Sequence, residues 1–564
     1  MKDVTDSVEA KLRFQQKFKR WQARWRKQGP KNIRYLYIVW ALIMFLYFYI
    51  KLPALNYAVL EFWIFLFIGV AGIVVIELLH DGGELIKSSA DHSALNFKGL
   101  SLKYKCLLYP WPLIALLGLV IYLATSPIFI ADKYANMIKI QEANFAEDFP
   151  PTDLSQVPLI DRDTAMRLGS RKLGSLSKLV SQFEVADDYT QINIESQPVR
   201  VTPLKYAGFF KWLNNFQAGI PHYLQVDTVT GDVTVMTPDQ PIKYSNADKF
   251  NRNIMRHLRF NYPFSIFSRP SFEVDDQGQP YYIATTYRRN FILREPEADG
   301  VILVNAMTGE TKKYNLKDTP SWIDRVYSAD IMLHQISMRG LYQGGFFNSL
   351  FAKAGVTEPT EGYNYIPLKD DLYLYTGLTS VAADDSNIGF VLVNLRTKES
   401  KIYTLDAAEE FSAMRSAEGS VQETEYQATF PLLVNLNGRA MYVLTLKDNS
   451  GLIRKYALVD AQNYQKVYVE SSVEQLLTAY QADNNVNMTN VSDEEVLKDI
   501  QGQVENIQAV VVDGNSVYYF MIDGDIYQAD IHLSRELPFM KEGQMIEFKA
   551  NEQGKVKEIK QIKE

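Results

Sequence analysis

Apolar residues are not spread evenly along this chain. Between Tyr35 and Ala131 they gather into three runs, residues 35–52, 57–79 and 106–131, and beyond that point they recur in short alternating stretches. A helix rises about 1.5 Å per residue, so roughly 20 apolar residues cross a ~30 Å hydrocarbon core. The three runs approach or exceed that length and predict three transmembrane helices within residues 35–131. Lys51 ends the first run on a stem long enough to snorkel, and the Trp and Tyr residues at the run ends suit the headgroup layer.

After Ala131 the period changes. Residues 223–236, 301–314, 390–403 and 456–468 each show an apolar run, an Asp or Asn (227, 305, 394 and 460), a short polar turn and a second run with Val or Tyr. Thr-Gly in the first two supplies the positive φ of a tight turn, so each stretch predicts a β-hairpin. The Asp or Asn positions lie 78, 89 and 66 residues apart, which points to repeated α+β units. Residues 320–350 read as a helix capped by Asp318 or Thr319, with Trp322, Val326, Ala329, Leu333 and Ile336 on one stripe. Beyond residue 471, helices are expected over 472–481 and 493–507. Short strands at 517–521, 526–533, 545–549 and 556–562 then suit a small β-barrel of the oligonucleotide- or oligosaccharide-binding type.

The expected fold class is therefore α+β: three N-terminal transmembrane helices, a large exported region of repeated helix-plus-antiparallel-sheet modules, and a small C-terminal barrel. The boundaries are 1–34 for a basic amphipathic helix, 35–131 for the spans and 132–157 for a membrane-proximal linker with Pro150-Pro151. Modules follow at 158–240 and 241–318, then a helix with degenerate modules at 319–470 and the C-terminal part at 471–564.

Charge orients this plan. Eleven Lys and Arg precede Tyr35 and four fall in residues 80–105, against one in residues 51–56 and two in the twenty residues after Ala131. Positive segments resist export, so the N-terminus is expected in the cytoplasm and the C-terminal region outside the cell. Phe14, Phe18, Trp21 and Trp25 form one helical stripe beside Lys17, Arg20 and Arg24, the pattern of a helix lying on an anionic bilayer. Residues 132–564 hold 43 Lys and Arg against 58 Asp and Glu, which argues against nucleic acid as a partner. Cys106, in the third span, is the single cysteine, so the exported part has no disulfides; this leans towards a Gram-positive type of envelope.

The hairpin pattern VD-x-x-TG-D/E-V, preceded by the helix-like segment 161–176 and a strand at 189–195, resembles a PepSY-type domain. The resemblance covers residues 159–236 and, without the helix, 279–314; Lys398 and Tyr464 replace the turn glycine in the third and fourth stretches. It implies a small α+β module of exported or membrane-anchored bacterial proteins, associated with restraining or chaperoning peptidases, and it transfers no catalytic residue.

Candidate chemistry is sparse. Glu61 and Glu77 fall near the ends of the second run, where water is reachable, and read as interfacial instead of an ion path. His80, Asp81, Glu84, Asp91 and His92 cluster in a Gly- and Ser-rich loop that reads as flexible, and no His pair has metal-ligand spacing. Ser175-Leu-Ser-Lys178 fits the S-x-x-K nucleophile signature but lacks an S-D-N or K-T-G partner and lies in the module helix. Residues 409–428 read as a polar loop whose acids, Glu409, Glu410, Glu418, Glu423 and Glu425, form a solvated face. Gly340, Gly344 and Gly345 beside Tyr342, Phe346 and Phe347 make a candidate partner-binding surface.

No cofactor is expected, and the oligomeric state stays open. The function expected is a non-catalytic, membrane-anchored extracytoplasmic scaffold or regulator binding a peptide, a peptidase or a cell-wall assembly protein. An envelope hydrolase or transferase acting on cell-wall material is the alternative. If the orientation is right, protease added to intact protoplasts digests the region after Ala131 and spares residues 1–34; digestion only after permeabilisation would reverse it.

Overall fold

The computed structural model describes residues 30–80, 102–194, 196–381, 383–484, 498–512, 515–534, 536–550 and 554–563. The stripe from Phe14 to Trp25, with Lys17, Arg20 and Arg24, lies outside the described residues, as do Asp81, Glu84, Asp91 and His92.

Helices Pro30–Lys51 and Leu60–His80 correspond to the first two apolar runs. The third run is built from Leu102–Leu108 and Pro110–Ala124, and three stretches, Ile33–Lys51, Leu60–Glu77 and Lys103–Ala124, are long and apolar enough to cross a membrane. The third span stops short of residue 131. Pro127 opens a new helix, Pro127–Ala135, after an extended Ser126, and that helix is kinked at Ile130. Proline suits a first helical position because its missing N–H would be unpaired there anyway.

The two carboxylates of the second span act at opposite ends. Glu77 accepts from the Tyr37 hydroxyl and from Lys103 Nζ at 2.6 Å, tying the three helices together at one end. Glu61, at the other end, partly offsets through its charge the burial of Arg259.

At that other end the domain closes the spans. The last carbonyls of a helix have no intrahelical donor and carry the negative end of its dipole. Arg256 Nε donates to Tyr49 O at 3.2 Å, Arg259 Nε to Leu52 O at 3.0 Å and Arg294 Nη1 to Tyr122 O at 2.9 Å. The connection between the first two spans is bound as well, with Leu55 N donating to Pro263 O at 2.8 Å and Asn56 Nδ2 to Phe264 O at 2.9 Å.

The chain past the spans is docked over residues 140–149. Strand β1 (Ile140–Ala143) pairs in parallel with β16 (Ser400–Ala408), and Phe145 and Phe149 bury their rings against Tyr403.

Among the described residues one strand order then occurs four times. Two short strands pair with one long strand, which starts an antiparallel run that ends in the hairpin read from the sequence. The first sheet has β2 (Phe183–Val185) and β3 (Thr190–Ile194) on β4 (Gln197–Tyr206), followed by β5 (Tyr223–Asp227) and β6 (Val233–Met236). The second has β7 (Ile266–Phe267) and β8 (Ser271–Val274) on β9 (Pro280–Asn290), then β10 (Glu295–Asn305) and β11 (Thr311–Asn315). The third has β12 (Thr357–Pro359) and β13 (Asn364–Leu368) on β14 (Asp371–Ser380), then β15 (Ala383–Asn394) and β16. The fourth has β17 (Gln427–Ala428) and β18 (Leu432–Leu436) on β19 (Arg439–Lys447), then β20 (Ile453–Asp460) and β21 (Val467–Glu470).

A helix precedes each sheet: Arg162–Gly174, Ile254–Asn261, Ala329–Tyr342 and Glu410–Gly419. The helix missing from the second sequence match is thus present further upstream, where it is only eight residues long.

The second sheet is buried on both faces. Tyr282, Ala284, Ile302 and Val304 share a core with Val199, Val201 and Leu224 of the first sheet, while Ile283 and Val301 face Leu374, Val391 and Val393 of the third. Alternation along a strand with both faces covered explains why residues 301–304 read as an unbroken apolar run.

The four hairpin turns share one device. A side-chain oxygen of Asp227, Asn305, Asn394 or Asp460 accepts the backbone N–H groups two and three residues on, all at 2.8–3.0 Å. Gly231 and Gly309 follow at φ +82 and +78. In the fourth turn Asp460 N reaches Lys466 O, where Asn394 N reaches Glu399 O in the third. That extra residue spreads the turn, so Tyr464 is not among the residues with positive φ. Lys398 does adopt φ +66, and its ammonium donates to Glu297 Oε1 at 2.6 Å and Met137 O at 3.0 Å. The lysine accepts a strained backbone in exchange for a tie to the second sheet.

Three expected elements differ. Residues 320–328 are not helical, because Ile323, Asp324 and Val326 turn inward from a loop and the helix begins after Ser328. Residues 410–419 form a helix where a polar loop was expected, and Glu410 is fully buried instead of solvated. Residues 498–507 belong to strands β22 (Lys498–Gln503) and β23 (Asn506–Val512), not to a helix over 493–507. Gly502 packs where a Cβ would lie 2.2 Å from Ile522, and Gly502 and Val504 are buried two apart, the period of a strand.

The chain forms two compact units, Met1–Pro150 with Ser155–Leu477, and Pro151–Leu154 with Thr478–Glu564. The second holds two three-stranded sheets, β22 with β26 (Met545–Ala550) and β27 (Val556–Lys563), and β23 with β24 (Asn515–Ile522) and β25 (Asp525–Asp530). They share a core around Phe520, Ile522 and Phe548, and an isolated parallel bridge links Gln528 to Lys555.

Lys398→Gly tests the trade at the third turn. Relief of a left-handed residue is worth about 1–2 kcal/mol, whereas stripping Glu297 of a partner in a mostly buried pair costs about 3–5 kcal/mol. The variant is therefore expected to lose roughly 1–4 kcal/mol in thermal unfolding of the full-length protein.

Candidate functional site

The first, third and fourth sheets enclose a cleft of about 240 Å³. One wall comes from Leu159, Asp161 and Arg162 at the start of the first module helix, and the other from Tyr363, Asn364, Phe430 and Val443; Arg200 of β4 also lines it. Asp161 caps the helix Arg162–Gly174 by accepting Thr164 N at 3.0 Å, which fixes its carboxylate at the rim. Lys447 Nζ meets the same Asp161 oxygen at 2.5 Å, and these contacts hold the carboxyl below its ordinary range against the opposing effect of burial. Gly362 lets Phe430 lie across the other wall, since a Cβ there would fall 1.9 Å from the ring.

Arg200 is the unusual group. Its guanidinium donates to Gln191 Oε1 at 2.7 Å and weakly to Ile160 O at 3.4 Å. Burial lowers it to about 10; Asp161 and Tyr365 oppose that, while Arg325 and Arg162 reinforce it. Since Asp161 is already engaged by Lys447, the cleft floor has an excess of positive charge that suits a carboxylate or another anionic group.

A polar seam runs from this floor into the core. Gln191 and Asn193 stand two apart on β3, and Asn193 N donates to Asp324 Oδ2 at 2.6 Å. Glu273 on β8 accepts from Ser271 at 2.7 Å through one oxygen, while its second oxygen and both Asn193 amide atoms have no partner among the described residues. Burial raises Asp324 to about 8, with Glu273, Asp370 and Asp371 adding to the rise, and Glu273 is raised by burial too. Arg325 stacks on Tyr365 at 4.9 Å and donates to its hydroxyl at 2.9 Å. Asp324 and Glu273 are 1% and 0% exposed, so a substrate does not reach them.

The residues proposed from sequence lie elsewhere. Tyr342 packs 5.9 Å from Tyr134 and 6.4 Å from Phe346, and Phe346 lies 5.6 Å from Phe347. Gly340 is a packing point, where a Cβ would lie 2.1 Å from Thr357 O. The Ser175 hydroxyl donates to Lys172 O at 2.6 Å at its helix C-terminus, which occupies it structurally. His257 contacts Gly309 O, His222 contacts Thr237 and His334 contacts Glu295; among the described residues no group of three or more His, Cys, Asp or Glu could hold a metal. Arg200 went unnoticed, although a lone arginine inside the apolar strand pattern of residues 197–206 was a signal. Lys447 had none, being 286 residues from its partner.

No protein-family model and no curated protein matches the chain. Among solved structures, the chain has a likeness to a polysaccharide lyase, Uly1, at 7% identity over 67% of this chain and 88% of that one. The TM-score of 0.15 carries no argument about fold or function.

Asp324 makes stability depend on pH. Its folded value lies above that of an unfolded aspartate, so its contribution is greatest below about pH 4 and is lost as pH rises towards 8. Asp324→Asn retains an acceptor for Asn193 N. It is expected to flatten that slope and to raise stability at pH 8 by an amount on the order of 2 kcal/mol, measured by thermal unfolding across the range.

Proposed function

We propose that this chain is a membrane-anchored, non-catalytic scaffold or regulator on the extracytoplasmic side of a bacterial envelope. Its modules hold a peptide, a peptidase or a cell-wall assembly protein. The observation that carries this reading is the cleft over Arg200, a partly buried cation with incomplete compensation, walled by Tyr363 and Phe430. Such a groove fits an extended segment presenting a carboxylate, with the aromatic walls taking its apolar part.

Four helix-then-sheet units with one strand order support a PepSY-like reading of the modules. The parallel bridge between the two C-terminal sheets supports a small barrel. The exported orientation is supported by the docking of residues 52–56, the least basic connection, on the domain. An envelope hydrolase or transferase fits less well, because the carboxylates that burial raises, Asp324, Glu273, Asp248 and Glu410, are all sealed in the core.

A photoreactive phenylalanine at Tyr363 in intact cells tests the reading. Capture of one envelope protein, lost in Arg200→Gln and restored in Arg200→Lys, is expected, with thermal unfolding confirming that each variant is folded. Recovery of cell-wall glycan alone would overturn it in favour of the hydrolase or transferase.

A further inference from the structure

We propose that the domain face around the span ends is itself immersed in the bilayer, as an aromatic collar reaching the boundary between headgroups and acyl chains. The inference rests on the three spans crossing a membrane, and the collar is continuous with them. Phe260 lies 5.5 Å from Phe48 and 6.1 Å from Tyr49 of the first span, and the carbonyl of Phe264 binds Asn56. Phe209 and Phe250 share with Tyr49, Ile50 and Leu52 an open hollow of about 460 Å³. On another side Phe291 packs 4.9 Å from Tyr134, just past the third span, and Tyr342 leads from Tyr134 to Phe346, Phe347 and Phe351.

The outermost of these side chains face solvent to a degree unusual for a domain standing in water. Phe210 is 76% exposed, Phe264 67%, Ile292 60% and Phe351 79%. Clustered exposure of this kind marks an interaction surface, and rings near a membrane boundary match the aromatic belts of membrane proteins.

The hairpin tip between β9 and β10 gives a second, independent observation. Phe291 and Ile292 both have positive φ, at +51 and +67, and a β-branched residue there is a genuine outlier. Asn-Gly would make such a turn without strain. A strained tip that projects apolar side chains beside a span end is accounted for if the tip lies in lipid. Arg256 and Arg294 stand beside the collar, stacked on Tyr49 at 4.1 Å and Tyr122 at 4.3 Å, and Lys249 lines the hollow; with the collar in lipid these cations meet the phosphates.

The test uses the full chain in nanodiscs of phosphatidylglycerol and phosphatidylethanolamine, one copy per disc. Cys106→Ser is combined with Phe210→Cys, Ile292→Cys or Phe351→Cys, and the thiol is labelled with a polarity-sensitive fluorophore. Leu116→Cys reports a span, and Thr230→Cys the turn between β5 and β6. Collar labels are expected to be blue-shifted and quenched by lipids carrying a spin label high on the acyl chain, while the label at residue 230 is neither. Collar labels as wet as residue 230, beside a quenched residue 116, would overturn the collar and leave the anchor intact. An unquenched residue 116 would instead sink the anchor. A blue shift appearing only with two copies per disc would make the surface an interface between copies and likewise overturn the proposal.

Discussion

The arrangement depends on how two of the long apolar helices end. In a hydrocarbon core a helix satisfies its own backbone, but at its C-terminus the final carbonyls point outward with the negative end of the dipole. Here Arg256 and Arg294 of the folded domain supply missing donors at Tyr49 and Tyr122, and Arg259 reaches Leu52 O just past the first helix. Arginine suits the task, since it stays charged and offers donors in a fixed fork. Arg259 is 5% exposed, and burial lowers it to about 10 even with Glu61 as counter-charge. Arg256 and Arg259 come from one short helix, so that helix sets the domain's position relative to the first span and its connection.

From there the architecture is repetition. Each hairpin turns on an Asp or Asn whose side chain replaces the two backbone partners that a tight turn leaves unpaired. The register of the last two strands in each sheet follows, and so does the face each residue presents. Because the second sheet is covered on both faces, successive sheets share cores, and the first three are linked by apolar packing. Polar contacts add specificity to that packing: Lys398 of the third turn reaches Glu297 of β10, and Lys447 of β19 reaches Asp161 of the first helix.

The three long apolar helical stretches and the four hairpins were legible in the sequence because their signals are local. An apolar run of fixed length and an Asx residue followed by a turn each contain their own cause. The helix expected from Pro320 failed because Trp322 and Val326 fit a helical stripe, while the core needed Ile323, Asp324 and Val326 from an extended loop. Glu410 was misread because burial of a carboxylate depends on Tyr375 and Asn387, donors from distant strands, at 3.2 and 3.1 Å. The cleft was illegible for the same reason: Arg200, Tyr363 and Lys447 meet only once three sheets are assembled.

Lys398 joins these two kinds of information. In the sequence it breaks the turn pattern, and by local rules it weakens the third hairpin. In the structure the same residue carries its charge out of one module and onto the Glu297 carboxylate of another, which also accepts from Gln335 at 3.0 Å. A repeat must differ from its neighbours wherever it contacts them, since identical units would specify no order of packing. Departures from the repeat are therefore where its assembly is encoded. The hairpin tip at Phe291 and Ile292 follows the same logic: a rule broken within one sheet is explained by what lies beyond it.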